Sequence, residues 1–144
     1  MDSIYKWVEG KIGSTFPSPR EREFGTSTKD FQIVRIDDVK ISIKFEGSKY
    51  LALPLKKWMF KRALEHLMKN AGVFVPIGVR IGPPYIPNSV EGVIWEDPLP
   101  EDISTYKVAP HICDVLELAG IVEYGPAYKP NSSRRLQGVR ARKP

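Results

Sequence analysis

The stretch from Ile103 to Arg142 constrains the fold most, because an amphipathic helix, its stop signal and the densest positive charge of the chain follow one another there. Val108, Ile112, Val115, Leu116 and Ala119 fall on one face at helical spacing, and Gly120 stands where a left-handed cap is needed, so a helix is predicted to end at Ala119. Inside a helix Pro110 would remove a hydrogen bond and clash with the preceding turn. A start near Ala109, with Ser104 to Lys107 as a separate turn, therefore competes with one longer, kinked helix. Ile121, Val122, Glu123 and Tyr124 follow as a strand up to a Gly-Pro turn signal. Leu136 to Ala141, which alternates apolar with polar residues, reads as its partner.

Helix, glycine, strand, basic loop and strand in that order resemble the recognition helix and wing of the winged-helix DNA-binding superfamily. The resemblance spans about 40 residues and rests on pattern. It implies that the helix entrance, Ser104, Thr105, Tyr106 and Lys107, meets base edges or phosphates. It also implies that Lys129, Arg134, Arg135, Arg140, Arg142 and Lys143, with Asn131, Ser132 and Ser133 at the tip, hold phosphates through charge and short hydrogen bonds. Asp114 and Glu117 would repel a duplex laid along the whole helix, which confines the expected contact to the helix start and the wing.

The distribution of charge supports this more than its sum of +5 does. Residues 1–70 carry 14 basic and 9 acidic side chains, 71–128 carry 2 and 8, and 129–144 carry 6 and none. An acidic middle between basic ends argues for one or two positive faces that attract phosphates or acidic partners; a solvated basic tail is the plain alternative. The 144 residues suffice for one domain with a core or two small subdomains that share one. No apolar run is long enough for a membrane span and the N-terminus has no apolar signal core, so a cytoplasmic protein is expected. Cys113 is the single cysteine, expected to be a small buried side chain.

Upstream, Ile4 to Ile12 suits a short helix or a strand, and its periodicity does not decide. Gly13 to Thr28 reads as a loop, pinned by Phe16 and Phe24. Phe31 to Ile36 and Val39 to Phe45 alternate around Asp37-Asp38 and predict a tight hairpin with Lys40 and Lys44 on one face; Tyr50 to Leu53 adds a third strand. Pro54 suits a helical first turn, and Leu55 to Ala71 follows as a helix with Met59, Phe60, Ala63, Leu64, Leu67 and Met68 on its apolar face. Lys57 and Lys61 lie mostly on the opposite side, as phosphate contacts or as a solvated outer face. Val73 to Ile81 is an interrupted strand, Gly82 to Pro87 a stiff connector, and Asn88 with Glu91 resembles a capping box for a short helix through Trp95.

The expected architecture is α+β: an antiparallel meander region (1–53) packed on a winged-helix-like region (54–144), or one continuous domain of both. The expected work is non-catalytic binding of double-stranded DNA, with no cofactor, as a small regulator or accessory subunit. Trp7, Trp58, Trp95, Tyr85 and Tyr128 motivate an alternative, a protein-interaction module or homodimer that shares aromatics between subunits, against the plainer reading that they cap the core. Asp30, Asp38 and Lys40 suggest, more weakly, a metal-dependent nuclease, although Asp37-Asp38 is also what a hairpin turn favours. His66 and His111 lack cysteine neighbours and read as helix residues. Thirteen prolines with few Asn, Gln and Cys suit a thermophilic source.

Overall fold

Alternation between Phe31 and Phe45 produces the hairpin it predicts. The computed structural model describes residues 2–48, 52–78, 83–129 and 131–143. In it β2 (Phe31–Ile36) and β3 (Lys40–Phe45) pair antiparallel, with Ile33 opposite Ile43 and Ile36 opposite Ile41. Asp37 closes the turn by accepting from the Val39 and Lys40 N–H groups. β1 (Thr15–Phe16) and β4 (Leu53–Lys56) flank this pair, so one sheet runs β1-β2-β3-β4. Tyr50, the expected start of the third strand, lies outside the described residues, as do 79–81 at the end of the expected strand from Val73 and Gly82 at the start of the expected connector.

Several elements depart from expectation for reasons visible in their packing. Ile4 and Val8, one helical turn apart, are both fully buried, and that settles α1 (Asp2–Glu9) as a helix. The segment expected to be a loop contains α2 (Pro19–Phe24), which Ser18 caps by accepting from the Arg20 N–H and Gly25 ends in the left-handed conformation. Pro54 belongs to edge strand β4, where a missing N–H is tolerated, opposite Ser42. The long helix α3 therefore starts later, at Lys57, and runs to Lys69. It buries Met59, Phe60, Ala63 and Leu67, whereas Met68 is exposed.

The second sheet takes β5 (Val75–Pro76), β6 (Val122–Tyr128) and β7 (Arg135–Ala141) in the order β5-β7-β6. Gly125 and Pro126 do not turn the chain; they lie inside β6. Gly125 faces Gly138 across the ladder, and a Cβ added to it would run into the Phe74 ring. The glycine there permits a close approach, not a turn. Between β5 and β6 the chain forms α4 (Val90–Ile94) and α5 (Ala109–Leu118). Ser89, not Asn88, caps α4 by accepting from the Gly92 N–H. Residues 104–107, expected as a turn, run without turn or helix into α5, which starts at Ala109, the first of the two readings that Pro110 left open.

The protein is thus α+β with two antiparallel sheets, and one hydrophobic cluster draws on α1, both sheets, α3, α4 and α5. No helix among the described residues is long and apolar enough to cross a membrane. Cys113 is fully buried, and burial pushes its thiol pKa far up.

Candidate nucleic-acid interface

The last helix decides what the cationic residues around it can reach. Of its ten residues, Ala109, Pro110 and all from Ile112 to Glu117 are buried, and His111 packs at a tilt against Phe45 with ring centroids 4.9 Å apart. Helix α2 lies across the α5 surface that carries acid. Asp114 Oδ2 accepts from Ser18 Oγ at 2.7 Å and from Arg20 Nη2 at 3.1 Å, while Asp114 Oδ1 accepts from Tyr124 Oη at 2.6 Å. Glu117 Oε1 accepts from Arg22 Nη2 at 2.8 Å, and Arg142 Nη2 lies 3.9 Å away. The two carboxylates expected to repel a duplex are held inside the protein by arginines, and the same contacts close the helix to any groove.

The start of α5 is capped from a distance. Val108 carries no side-chain cap; instead Glu91, 1% exposed, accepts from the Val108 and Ala109 N–H groups and from Trp95 Nε1. A carboxylate at a helix N-terminus meets both the unpaired N–H groups and the positive end of the dipole. Burial nevertheless outweighs these bonds and pushes the Glu91 pKa up to about 7. Ser104 and Thr105 are exposed on the approach to this helix, and Lys107 is half-buried beside Glu91. No hydrogen bond or ion pair among the described residues joins this approach to the hairpin tip.

The β6–β7 hairpin is paired as far as Tyr128 and Arg135. Seven pairs run from Val122 opposite Ala141 to Tyr128 opposite Arg135. At the tip the Ser132 N–H donates to the Lys129 carbonyl and the Arg134 N–H to Ser132 Oγ. The cations divide into two sets. Near the base Arg140 Nε is 2.6 Å from Glu123 Oε1 and its guanidinium covers Phe74 at 4.2 Å, while Arg142 Nε donates to the Val122 carbonyl. At the tip Lys129, Arg134 and Arg135 are exposed and form no ion pair among the described residues. Lys143, past the hairpin, is exposed too.

No hydrogen bond, ion pair or ring contact among the described residues joins Lys57 or Lys61 to this group. Lys57 stands at the end of α3 that meets the first sheet, its backbone N–H bonded to Val39 and its ammonium 5.0 Å from the centre of the Tyr5 ring. Lys61 is exposed one turn on. The opposite end of α3 leads to Gly72, whose carbonyl faces Arg140.

The aromatics sort cleanly between core and surface. Trp7 packs on Phe16, Trp58 and Tyr106 both meet Trp95 edge-on, and Tyr85 packs on the core. Tyr128 is 55% exposed. Sequence reasoning missed α2 and with it Ser18, Arg20 and Arg22; Ser18-Pro19 followed by Gly25 was the available signal, a cap, a first-turn proline and a terminal glycine. Comparison with known proteins finds no matching family model, no matching curated protein and no matching solved structure.

Proposed function

We propose that this chain is a non-catalytic nucleic-acid-binding protein that holds the phosphates of double-stranded DNA on the tip of its terminal hairpin. The winged-helix reading is supported by the order of elements from α3 onward: three helices, then a hairpin, with β5 as third strand. The observation that carries the functional reading is that Lys129, Arg134 and Arg135, at the end of a seven-pair ladder, are exposed and form no ion pair among the described residues. An arginine already bonded to a carboxylate gains little from a phosphate; an exposed one releases counterions when it binds. Because α5 is closed off by α2, that helix makes no contact with base edges in this proposal, and sequence-independent binding is expected.

Fluorescence anisotropy of a labelled blunt duplex, titrated with protein from low to physiological salt, tests this. The expected result is affinity that falls steeply with salt. In the Arg134→Ala/Arg135→Ala double variant the log–log salt slope should flatten by roughly 2, near 0.9 for each phosphate that is no longer neutralised. No binding at low salt, or binding indifferent to salt and to these substitutions, overturns the proposal. An interaction module is the second reading, favoured by Met68 and Val73, which remain 66% and 57% exposed around the end of α3.

A further inference from the structure

Tyr128 is the only exposed aromatic among the described residues. Its ring stacks on no other ring, no cation is placed over it, and its hydroxyl has no hydrogen-bond partner among those residues. A tyrosine whose ring meets no other ring and no cation among the described residues, at the end of the β6–β7 ladder, is a group available to a ligand. Its surroundings say which ligand. Tyr128 lies directly opposite Arg135 in the ladder, so both side chains leave the same face of the hairpin, with Cβ atoms roughly 5 Å apart. Lys129 follows it in the chain, and Arg134 precedes its partner. The face is the one that carries Pro126 and Tyr124 two and four positions earlier in β6, since side chains alternate. There Tyr124 is buried against Phe24, and Gln137 is tied to Thr26 Oγ1 at 2.6 Å. Beyond these contacts a groove of about 380 Å³ opens beside Arg135, lined by Glu23, Phe24, Leu136 and Gln137.

We infer that Tyr128, flanked by Lys129, Arg134 and Arg135, is a stacking platform for an unpaired nucleobase, and that the preferred ligand is a duplex carrying a single-stranded segment. This rests on the phosphate-binding reading above. The π face of a tyrosine gains nothing from the sides of a stacked duplex, whose bases are covered by one another everywhere but at the two ends. An unpaired base offers a free face of its own, and neighbouring cations hold the phosphates on either side of it. The closed recognition helix points the same way: with groove readout removed, the tip offers cations, the small polar side chains of Asn131, Ser132 and Ser133, and one ring.

The test compares a blunt duplex with the same duplex bearing a single-stranded tail that contains 2-aminopurine, using the full chain and its Tyr128→Phe, Tyr128→Leu and Tyr128→Ala variants. Stacking predicts that wild type and Tyr128→Phe bind the tailed duplex about tenfold tighter than the blunt one and quench the 2-aminopurine. Tyr128→Leu, which keeps apolar bulk without a π face, and Tyr128→Ala should lose both effects while binding the blunt duplex as before; thermal melting verifies that each is folded. Equal affinity of wild type for the two duplexes, or equal loss on both in Tyr128→Ala, overturns the stacking role and leaves phosphate binding intact. Binding of the tail strand alone, with none of the blunt duplex, overturns the duplex reading and upholds the stacking role. No binding of any strand overturns both.

Discussion

The Arg20 guanidinium lies along the Asp114 carboxylate, with Nη2 3.1 Å from Oδ2 and Nε 3.1 Å from Oδ1, and both side chains are buried. Ninety-four positions separate them in the chain. The pair fastens α2 to α5, and Ser18 and Tyr124 fill the remaining acceptor sites of the carboxylate. Every polar atom around Asp114 thus depends on one side chain.

Removal of one partner should therefore be severe. Arg20→Ala leaves a buried carboxylate without its cation, and a loss of about 3–5 kcal/mol in urea denaturation is expected. Replacement of Arg22, whose side chain is mostly exposed, should cost no more than about 1 kcal/mol. Equal small effects for the two would show that the buried pair does not hold α2 in place.

Two desolvated groups, Glu91 and His111, should tilt stability in opposite directions with pH. Burial raises the Glu91 pKa from 4.5 to about 7, so its contribution is fully present below 4.5 and is lost as pH rises through 7. Burial lowers the His111 pKa from 6.5 to about 3, so its contribution is present above 6.5 and is lost as pH falls toward 3. Between 4.5 and 6.5 the two oppose each other. Glu91→Gln should leave stability rising to about pH 6.5 and then level, whereas His111→Phe should leave a decline from about pH 4.5 to 7. Denaturation midpoints across this range, with the same slopes in both variants as in wild type, would refute the assignment.

The hairpin should be sensitive to a single methyl group. A Cβ on Gly138 would lie 2.7 Å from the Ala127 Cβ and 2.8 Å from the Gly125 carbonyl oxygen, contacts that the ladder can relieve only by shifting. Gly138→Ala is expected to destabilise the protein by about 1–3 kcal/mol, the range for overpacking a close contact. Thermal melting measures this. An unchanged midpoint would mean that the two strands lie farther apart.

Cys113 is expected to be chemically silent. Its thiol is fully buried and burial, with Asp114 beside it, disfavours the thiolate. A thiol reagent should label it only on unfolding, at a rate that denaturant increases. Rapid labelling of the native protein would contradict its place in the core.

Local rules account for much of this molecule. The β2–β3 hairpin was legible because alternation and an Asp-Asp turn are properties of neighbouring residues. The same holds for the end of α5, where Gly120 takes φ 78°; for its start, Pro110 left Ala109 and a longer kinked helix both open, and the packed structure chose Ala109. The hairpin of β6 and β7 was legible too, and with it the position of Arg134 and Arg135 at its tip.

What the chain order could not tell was which charges remain free. Asp114, Glu117, Arg140 and Arg142 look like any other surface ions in the sequence. They differ from Arg134 and Arg135 only because α2 and Glu123 are brought against them by folding. Gly125-Pro126 read as a turn because the Phe74 ring that requires a bare backbone there is some fifty residues away in sequence. Tyr128 stood among five large aromatics with nothing to mark it, until the core had taken the others. Backbone propensity and periodicity act over a few residues, so local geometry follows from the sequence by itself; burial and pairing act between distant residues, and only the packed structure decides them.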